Sequence, residues 1–312
     1  MAYRILVVGA GAVGGYFGAR LAQAGRDVTF VVRPGRADQI RRDGIRVRSR
    51  HGDLNLTPKI TTAAELAEPY DLVLLSVKGF ALDAALDDVA AAIGPASVVL
   101  PVLNGMRHMD RLAERFGTGP VLGGVCMVAT ELDSDGQIIQ LADIQKLIYG
   151  ELGGELTERI ERVDEAIRGA GFDAAISPDI VQAMWEKWVM LASLGAACCL
   201  LRGSVGEIVG VPGGTQVARA ILDESVAVAR VSGHPPSPAF MQRTVSMMTA
   251  PGSPQTSSMY RDLLKGGEVE VDPIIGDLVL RADRAGVEVP LLRAASVNLS
   301  VYSARREAER GR

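Results

Sequence analysis

Three glycines, Gly9, Gly11 and Gly14, stand in G-x-G-x-x-G spacing near the start of the chain. Such a turn suits a pyrophosphate. The first glycine permits the tight bend, the second lets the backbone come close to the ligand, and the third lets a helix pack closely on the preceding strand. Arg33 follows where a dinucleotide site usually carries an acid for the ribose 2′-hydroxyl. A carboxylate would repel a 2′-phosphate, whereas a guanidinium forks onto one with paired hydrogen bonds. Arg33, helped by Arg36, therefore favours NADP(H). The alternative for Arg33 is a solvated loop charge.

A second set of residues suits chemistry on a carbonyl. Hydride transfer needs a group that stabilises charge growing on the oxygen and a donor that completes the alcohol. A lysine ammonium does both, and it stays charged at neutral pH unless desolvated. Lys187 lies between Trp185 and Trp188 in an apolar stretch, where a lysine either snorkels to water or serves a site. Its neighbour Glu186 points elsewhere, because adjacent residues on a helix do not share a face. Lys78 and Asn104 each follow an apolar run. Taken singly they read as a surface lysine and an Asn-Gly turn. What sets them apart is a shared position beyond the ends of strands of one sheet.

The elements that place these residues follow from periodicity. Residues 5–8, 28–32, 71–77 and 97–103 are short apolar runs, as strands buried on both faces should be. A helix is expected over 12–24, ended by Gly25, and others over 37–43 and 81–93. Residues 45–50 and 54–59 alternate around His51-Gly52-Asp53 and read as a hairpin. One more strand is expected over 121–130 and two more within 136–149. Strands alternating with helices predict a parallel, doubly wound α/β sheet, whose ligands lie beyond the carboxyl ends of the strands. From Pro178 the period changes to 3.6, with helices expected over 180–201, 216–233, 238–248 and 273–285. The expected division is an N-terminal nucleotide-binding domain of residues 1–176 and a helical domain of residues 177–312. The natural substrate site is a cleft between two such domains.

A chain of 312 residues can bury a core in each of two domains. A net charge of −4 offers no basic excess for nucleic acid or an anionic membrane. The apolar run 188–201 is broken by Ser and Gly and looks too short to span a bilayer. No signal-peptide pattern precedes the first strand. Three cysteines, two of them adjacent, make no disulfide framework and fit a reducing compartment. A cytoplasmic protein is therefore expected. His51, His108 and His234 show no ligand spacing, so no metal is expected.

At this point the sequence resembles the ketopantoate reductases (2-dehydropantoate 2-reductases). The matching pieces are residues 9–15, Ser76-Val-Lys78, Leu103-Asn-Gly-Met106, Trp185-Glu-Lys187, Thr256-Ser-Ser-Met259 with Arg261-Asp262, and Glu270-Val-Asp272 before Gly276. Their order runs nearly end to end. The resemblance implies a Rossmann domain, an all-helical C-terminal domain and NADPH-dependent reduction of 2-dehydropantoate to pantoate, on the way to pantothenate. It implies Lys187 and Glu270 as catalytic residues, Lys187 protonating the carbonyl oxygen and Glu270 partnering it. It implies cofactor contacts at Gly9, Gly11, Ala12, Val13, Gly14, Arg33, Lys78 and Asn104, and substrate contacts at Asn104, Ser258 and Glu270. The partner is then a small 2-oxo acid, and a homodimer is common in the family.

One departure stands out. The well-known enzymes carry asparagines one and two turns after the lysine, where this chain has Leu191 and Gly195. These align with Lys187 on one helix face. Leucine cannot hydrogen-bond a substrate, so a less polar 2-oxo acid is an alternative, with Arg202 as a candidate carboxylate clamp. A dehydrogenase working in the oxidative direction and a non-catalytic NADP(H)-binding regulator complete the alternatives.

Overall fold

The structure, a computed structural model, describes residues 3–310. Two compact units are present. The first runs to Leu103 and resumes from His108 to Val181, and the second takes Asn104–Arg107 and the described chain from Gln182 onward.

In the first unit the order is β1 (Arg4–Val8), α1 (Ala12–Gln23), β2 (Asp27–Val31), α2 (Pro34–Asp43), β3 (Ile45–Arg48), β4 (Leu54–Leu56), β5 (Lys59–Thr61), β6 (Leu72–Leu75), α3 (Leu82–Asp88), β7 (Val98–Pro101), α4 (Arg107–Phe116), β8 (Gly123–Leu132), β9 (Ile138–Gly150), α5 (Glu158–Ile167) and β10 (Asp173–Ile176). A parallel sheet runs β5-β2-β1-β6-β7. Its strands are covered on both sides. Ile5, Val7, Leu72, Leu74, Val98 and Leu100 face one core, while Leu6, Val8, Val73, Leu75 and Val99 face another. That explains why the runs are continuously apolar rather than alternating. The strand order reverses direction at β1, which has β2 on one side and β6 on the other. Ligands of such sheets bind at this switch point.

The expectation of one doubly wound sheet needs correcting in its second half. β8, β9, β10 and the β3–β4 hairpin form a separate mixed sheet. Residues 136–149, read as two strands, contribute the single 13-residue strand β9. Nothing within it breaks an extended chain: the segment holds neither proline nor internal glycine. Helix α1 contacts strands of both sheets. Tyr16 shows how the second sheet is held, its hydroxyl donating to Gln145 Oε1 of β9 and lying 3.3 Å from Gln140 Oε1 of the same strand. On the same helix a Cβ at Gly15 would strike Ile138.

The second unit contains most of α6 (Ile180–Leu201), followed by α7 (Val205–Val209), α8 (Gly214–Val231), α9 (Pro238–Met248), α10 (Ser258–Leu264), α11 (Asp277–Ala285) and α12 (Pro290–Arg310). No strand is assigned from Gln182 onward among the described residues. The apolar run is longer than expected from residues 188–201. The 22-residue α6 is long and apolar enough to cross a membrane by length and composition. However, 67% of its most apolar stretch is buried inside the protein, as in a core helix. Among the described residues Arg202, just past α6, is the one non-glycine with positive φ, at 59°. It occupies the left-handed position that commonly ends a helix.

All three cysteines are free and buried. Burial pushes the Cys199 thiol up to about 12 and the Cys198 thiol in the same direction. Buried and kept as thiols, both behave as small apolar side chains.

Candidate active site

The glycine turn lies in the first unit at the switch point. Gly9 leaves β1 with φ +92°, and its N–H donates to the Val31 carbonyl at 3.1 Å. Gly11 caps α1 without any side-chain hydrogen bond, and the first turn holds no acid. A Cβ on Gly11 would meet nothing within 4 Å, so the backbone there faces open space. A Cβ on Gly14 would overlap the Ser76 hydroxyl and the Gly9 carbonyl oxygen. The three glycines thus differ in kind: one bends the chain, one keeps a surface clear, and one allows contact. The open backbone at the N-terminal end of α1, which includes Ala12 and Val13, is the arrangement that receives phosphate. The residues present therefore fit a dinucleotide.

Ser76 fastens the next strand to this turn. Its hydroxyl donates to the Val8 carbonyl at 2.8 Å and lies 3.1 Å from that of Gly9. Lys78, two residues on, is exposed and opens the short 3-10 turn Gly79–Ala81. Arg33 is exposed at the cap of α2. Arg36 is half-buried, and its Nε donates to the Ala10 carbonyl at 3.3 Å.

The remaining candidates gather in the second unit. Lys187 is half-buried on α6. Its neighbour Trp188 is buried and donates its indole N–H to the Ile274 carbonyl at 2.8 Å. Ile274 belongs to a π-turn, Asp272–Gly276, that precedes α11. Such turns occur often at functional sites. Glu270, 7% exposed, lies two residues before the turn. Gly105 packs against the same turn. It has φ +78°, and a Cβ there would overlap the Pro273 carbonyl oxygen. Thus Asn104-Gly105, Trp188 beside Lys187, and the turn that follows Glu270 are joined through direct contacts at Pro273 and Ile274.

Arg281 strengthens this join. Its guanidinium stacks 5.8 and 5.4 Å from the Trp185 and Trp188 ring centres and lies 3.1 Å from Asp277. Glu186, on the other side of α6, accepts the Ser237 N–H at 2.8 Å at the start of α9 and is structural.

Further along α6, Leu191 is half-buried and Gly195 is buried. A Cβ on Gly195 would come within 3.2 Å of Met259 Cε, so a methionine fills the space a side chain at 195 would take. Ser258, the first residue of α10, is exposed; the buried Ser257 caps the helix, accepting the Tyr260 N–H at 3.0 Å. Sequence reasoning missed Met259, Arg281 and the π-turn. Of these only Met259 left a signal, in its place directly after Ser258.

The N-terminal family model "Ketopantoate reductase PanE/ApbA" matches residues 5–154, and its C-terminal counterpart matches residues 179–302. The uncharacterized oxidoreductase YkpB of Bacillus subtilis (strain 168) is 35% identical over 96% of this chain and 99% of its own length. The 2-dehydropantoate 2-reductase of Archaeoglobus fulgidus is 30% identical over 93% of this chain and 94% of its own. The crystal structure of 2-dehydropantoate 2-reductase from Geobacter metallireducens GS-15 superposes with TM-score 0.86 at 29% identity, covering 95% of this chain and 99% of that one. With both family models matched in order and the same fold throughout, this chain belongs to the ketopantoate reductase family of oxidoreductases.

Proposed function

We propose that this protein reduces a 2-oxo acid with NADPH, with 2-dehydropantoate as the leading substrate and (R)-pantoate, a precursor of pantothenate, as product. The observation that carries the reading is the meeting of Asn104-Gly105, the helix of Lys187 and the turn after Glu270 around Pro273 and Ile274. A bound reduced nicotinamide supplies the hydride. Lys187 holds the carbonyl oxygen and delivers the proton to it, so that charge does not accumulate there. Glu270 accepts a substrate hydroxyl and orients the lysine, Asn104 donates its amide to the substrate, and Ser258 donates to the carboxylate. Gly9, Gly11, Ala12, Val13, Gly14 and Lys78 hold the cofactor, and Arg33 meets the 2′-phosphate.

A second reading has a specific observation in its favour. Leu191, and Met259 lying over Gly195, present apolar surface on the Lys187 face of α6. A 2-oxo acid with an apolar side chain would leave no hydroxyl unpaired there. The test is oxidation of NADPH by the purified protein with 2-dehydropantoate and a panel of branched and aromatic 2-oxo acids. Turnover of 2-dehydropantoate at the highest kcat/KM supports the first reading, and preference for an apolar acid supports the second. NADPH binding with no turnover of any would sink both and leave a regulator.

The reading extends to a cytoplasmic homodimer. Free buried thiols suit a reducing compartment, and Val297 and Val301 on α12, 58% and 45% exposed, offer apolar surface to a second copy. A monomeric mass in sedimentation, or recovery outside the cytoplasmic fraction, would remove that part.

A further inference from the structure

Arg36 is fixed from three directions. Its Nε donates to Ala10 in the glycine turn, its Nη1 to Gln39 Oε1 at 2.6 Å, and its Nη2 to the Gly136 carbonyl at 3.2 Å. Gly136 lies in the tip of the β8–β9 hairpin, a hundred residues along the chain. Two further bonds hold that tip in place. Gln39 Nε2 and Arg46 Nη2 both donate to the Asp135 carbonyl, at 3.0 and 2.8 Å. Gly136 has φ +71°, a conformation that favours glycine, and a Cβ there would displace the side-chain ends of Gln39 and Arg36. Every acceptor of Arg36 is a neutral oxygen. A guanidinium has five N–H groups, and three are used, which leaves one on each terminal nitrogen. Burial, and then the nearby Arg46 cation, push the Arg36 guanidinium below its ordinary value, with no carboxylate opposing them. This cation is placed beside the glycine turn and has no anionic partner among the described residues. Arg33, by contrast, is exposed, and its side chain makes no hydrogen bond among the described residues.

We propose that Arg36 is the preorganised member of an arginine pair that reads the adenosine 2′-phosphate, and that the tip of the β8–β9 hairpin, through Gly136, sets its position. The proposal rests on the reading of the glycine turn as a dinucleotide site. A phosphate held by charge-assisted bonds from Arg36 and Arg33 gains over a bare ribose hydroxyl, and less ordering is needed because Arg36 is already in place.

Binding of adenosine 2′,5′-bisphosphate and of 5′-AMP to the full chain, measured by calorimetry, tests this without any substrate. Arg36→Met is expected to weaken the bisphosphate by about tenfold to a hundredfold while 5′-AMP changes by less than about twofold. Gly136→Ala, which leaves every charge in place, should weaken the bisphosphate in the same direction by a smaller factor. Equal losses for both nucleotides in Arg36→Met would make Arg36 a strut of the fold. So would a result in which Arg33→Met removes all the discrimination and Arg36→Met none. An unchanged Gly136→Ala would detach the hairpin from the site. A native chain that binds both nucleotides equally overturns the arginine pair and spares the glycine turn, whereas one that binds neither overturns the dinucleotide reading itself.

Discussion

Lys187→Met is expected to lower kcat for the preferred 2-oxo acid by about 10²–10⁴-fold while NADPH affinity stays within about twofold. Methionine keeps the length and the apolar stem of lysine and removes only the ammonium. The surroundings favour a clean result. Trp188, next in the chain, is anchored by its own bond to Ile274 and by the Arg281 stack, so α6 keeps its place whatever stands at 187. In the proposed mechanism what is lost is the group that meets the carbonyl oxygen as charge develops, and such interactions act on the transition state rather than on binding. Single-turnover absorbance at 340 nm, beside equilibrium NADPH titration, separates the two quantities. Retention of kcat would transfer the proton donor elsewhere. A matching fall in cofactor affinity would show that the lysine holds structure rather than chemistry.

Gly11→Ala and Gly14→Ala should fail in opposite ways. At Gly14 the new methyl overlaps the Ser76 hydroxyl and the Gly9 carbonyl oxygen. One of them must move, and overpacking of this kind typically costs about 1–3 kcal/mol. In a unit of this size that lowers Tm by about 2–4 °C per kcal/mol, with NADPH binding lost as well because Gly9 is displaced. At Gly11 the methyl enters open space, on a backbone with φ −81° that alanine accepts. Stability should fall by no more than about 1 kcal/mol, the cost of an alanine at a helix cap. NADPH affinity should still fall by about tenfold or more if, as proposed, the pyrophosphate approaches the backbone there. Thermal denaturation and nucleotide titration on both variants decide it. Equal Tm losses would mean that Gly11 serves packing, and unchanged NADPH affinity in Gly11→Ala would move the pyrophosphate elsewhere.

The sequence was most legible where local pattern and burial agree. Residues 180–201 and 238–248 carry helix periodicity between clear breaks, and α6 and α9 have those bounds. Short and weakly patterned helices were missed. α10 has seven residues. α12 buries only Leu292, Ala295 and Leu299, so its apolar stripe is too sparse to stand out. The helix expected from Pro273 begins as a regular helix only at Asp277. Asp-Pro reads as an ordinary start, but the Ile274 carbonyl is taken by the Trp188 indole, 86 residues away. Arg36 was legible as a companion of Arg33, but distance along the chain hid how it is held, since no local window contains the hairpin tip whose Gly136 carbonyl it binds. The glycine turn was visible because each of its requirements is local.

The four residues Asn104–Arg107 have a further consequence. They leave the first unit after Leu103 and return to it at His108, and the chain passes over again after Val181. Two units so joined are not interchangeable modules. A fragment starting at Gln182 would lack Gly105, and the carbonyl of Pro273 would lose the backbone packed on it. Gene fusion or recombination at a single junction would give a helical half without its plug. Exchange of either unit between relatives would have to carry a matched tetrapeptide with it, because Asn104 belongs structurally with the helical unit rather than with the strand it follows.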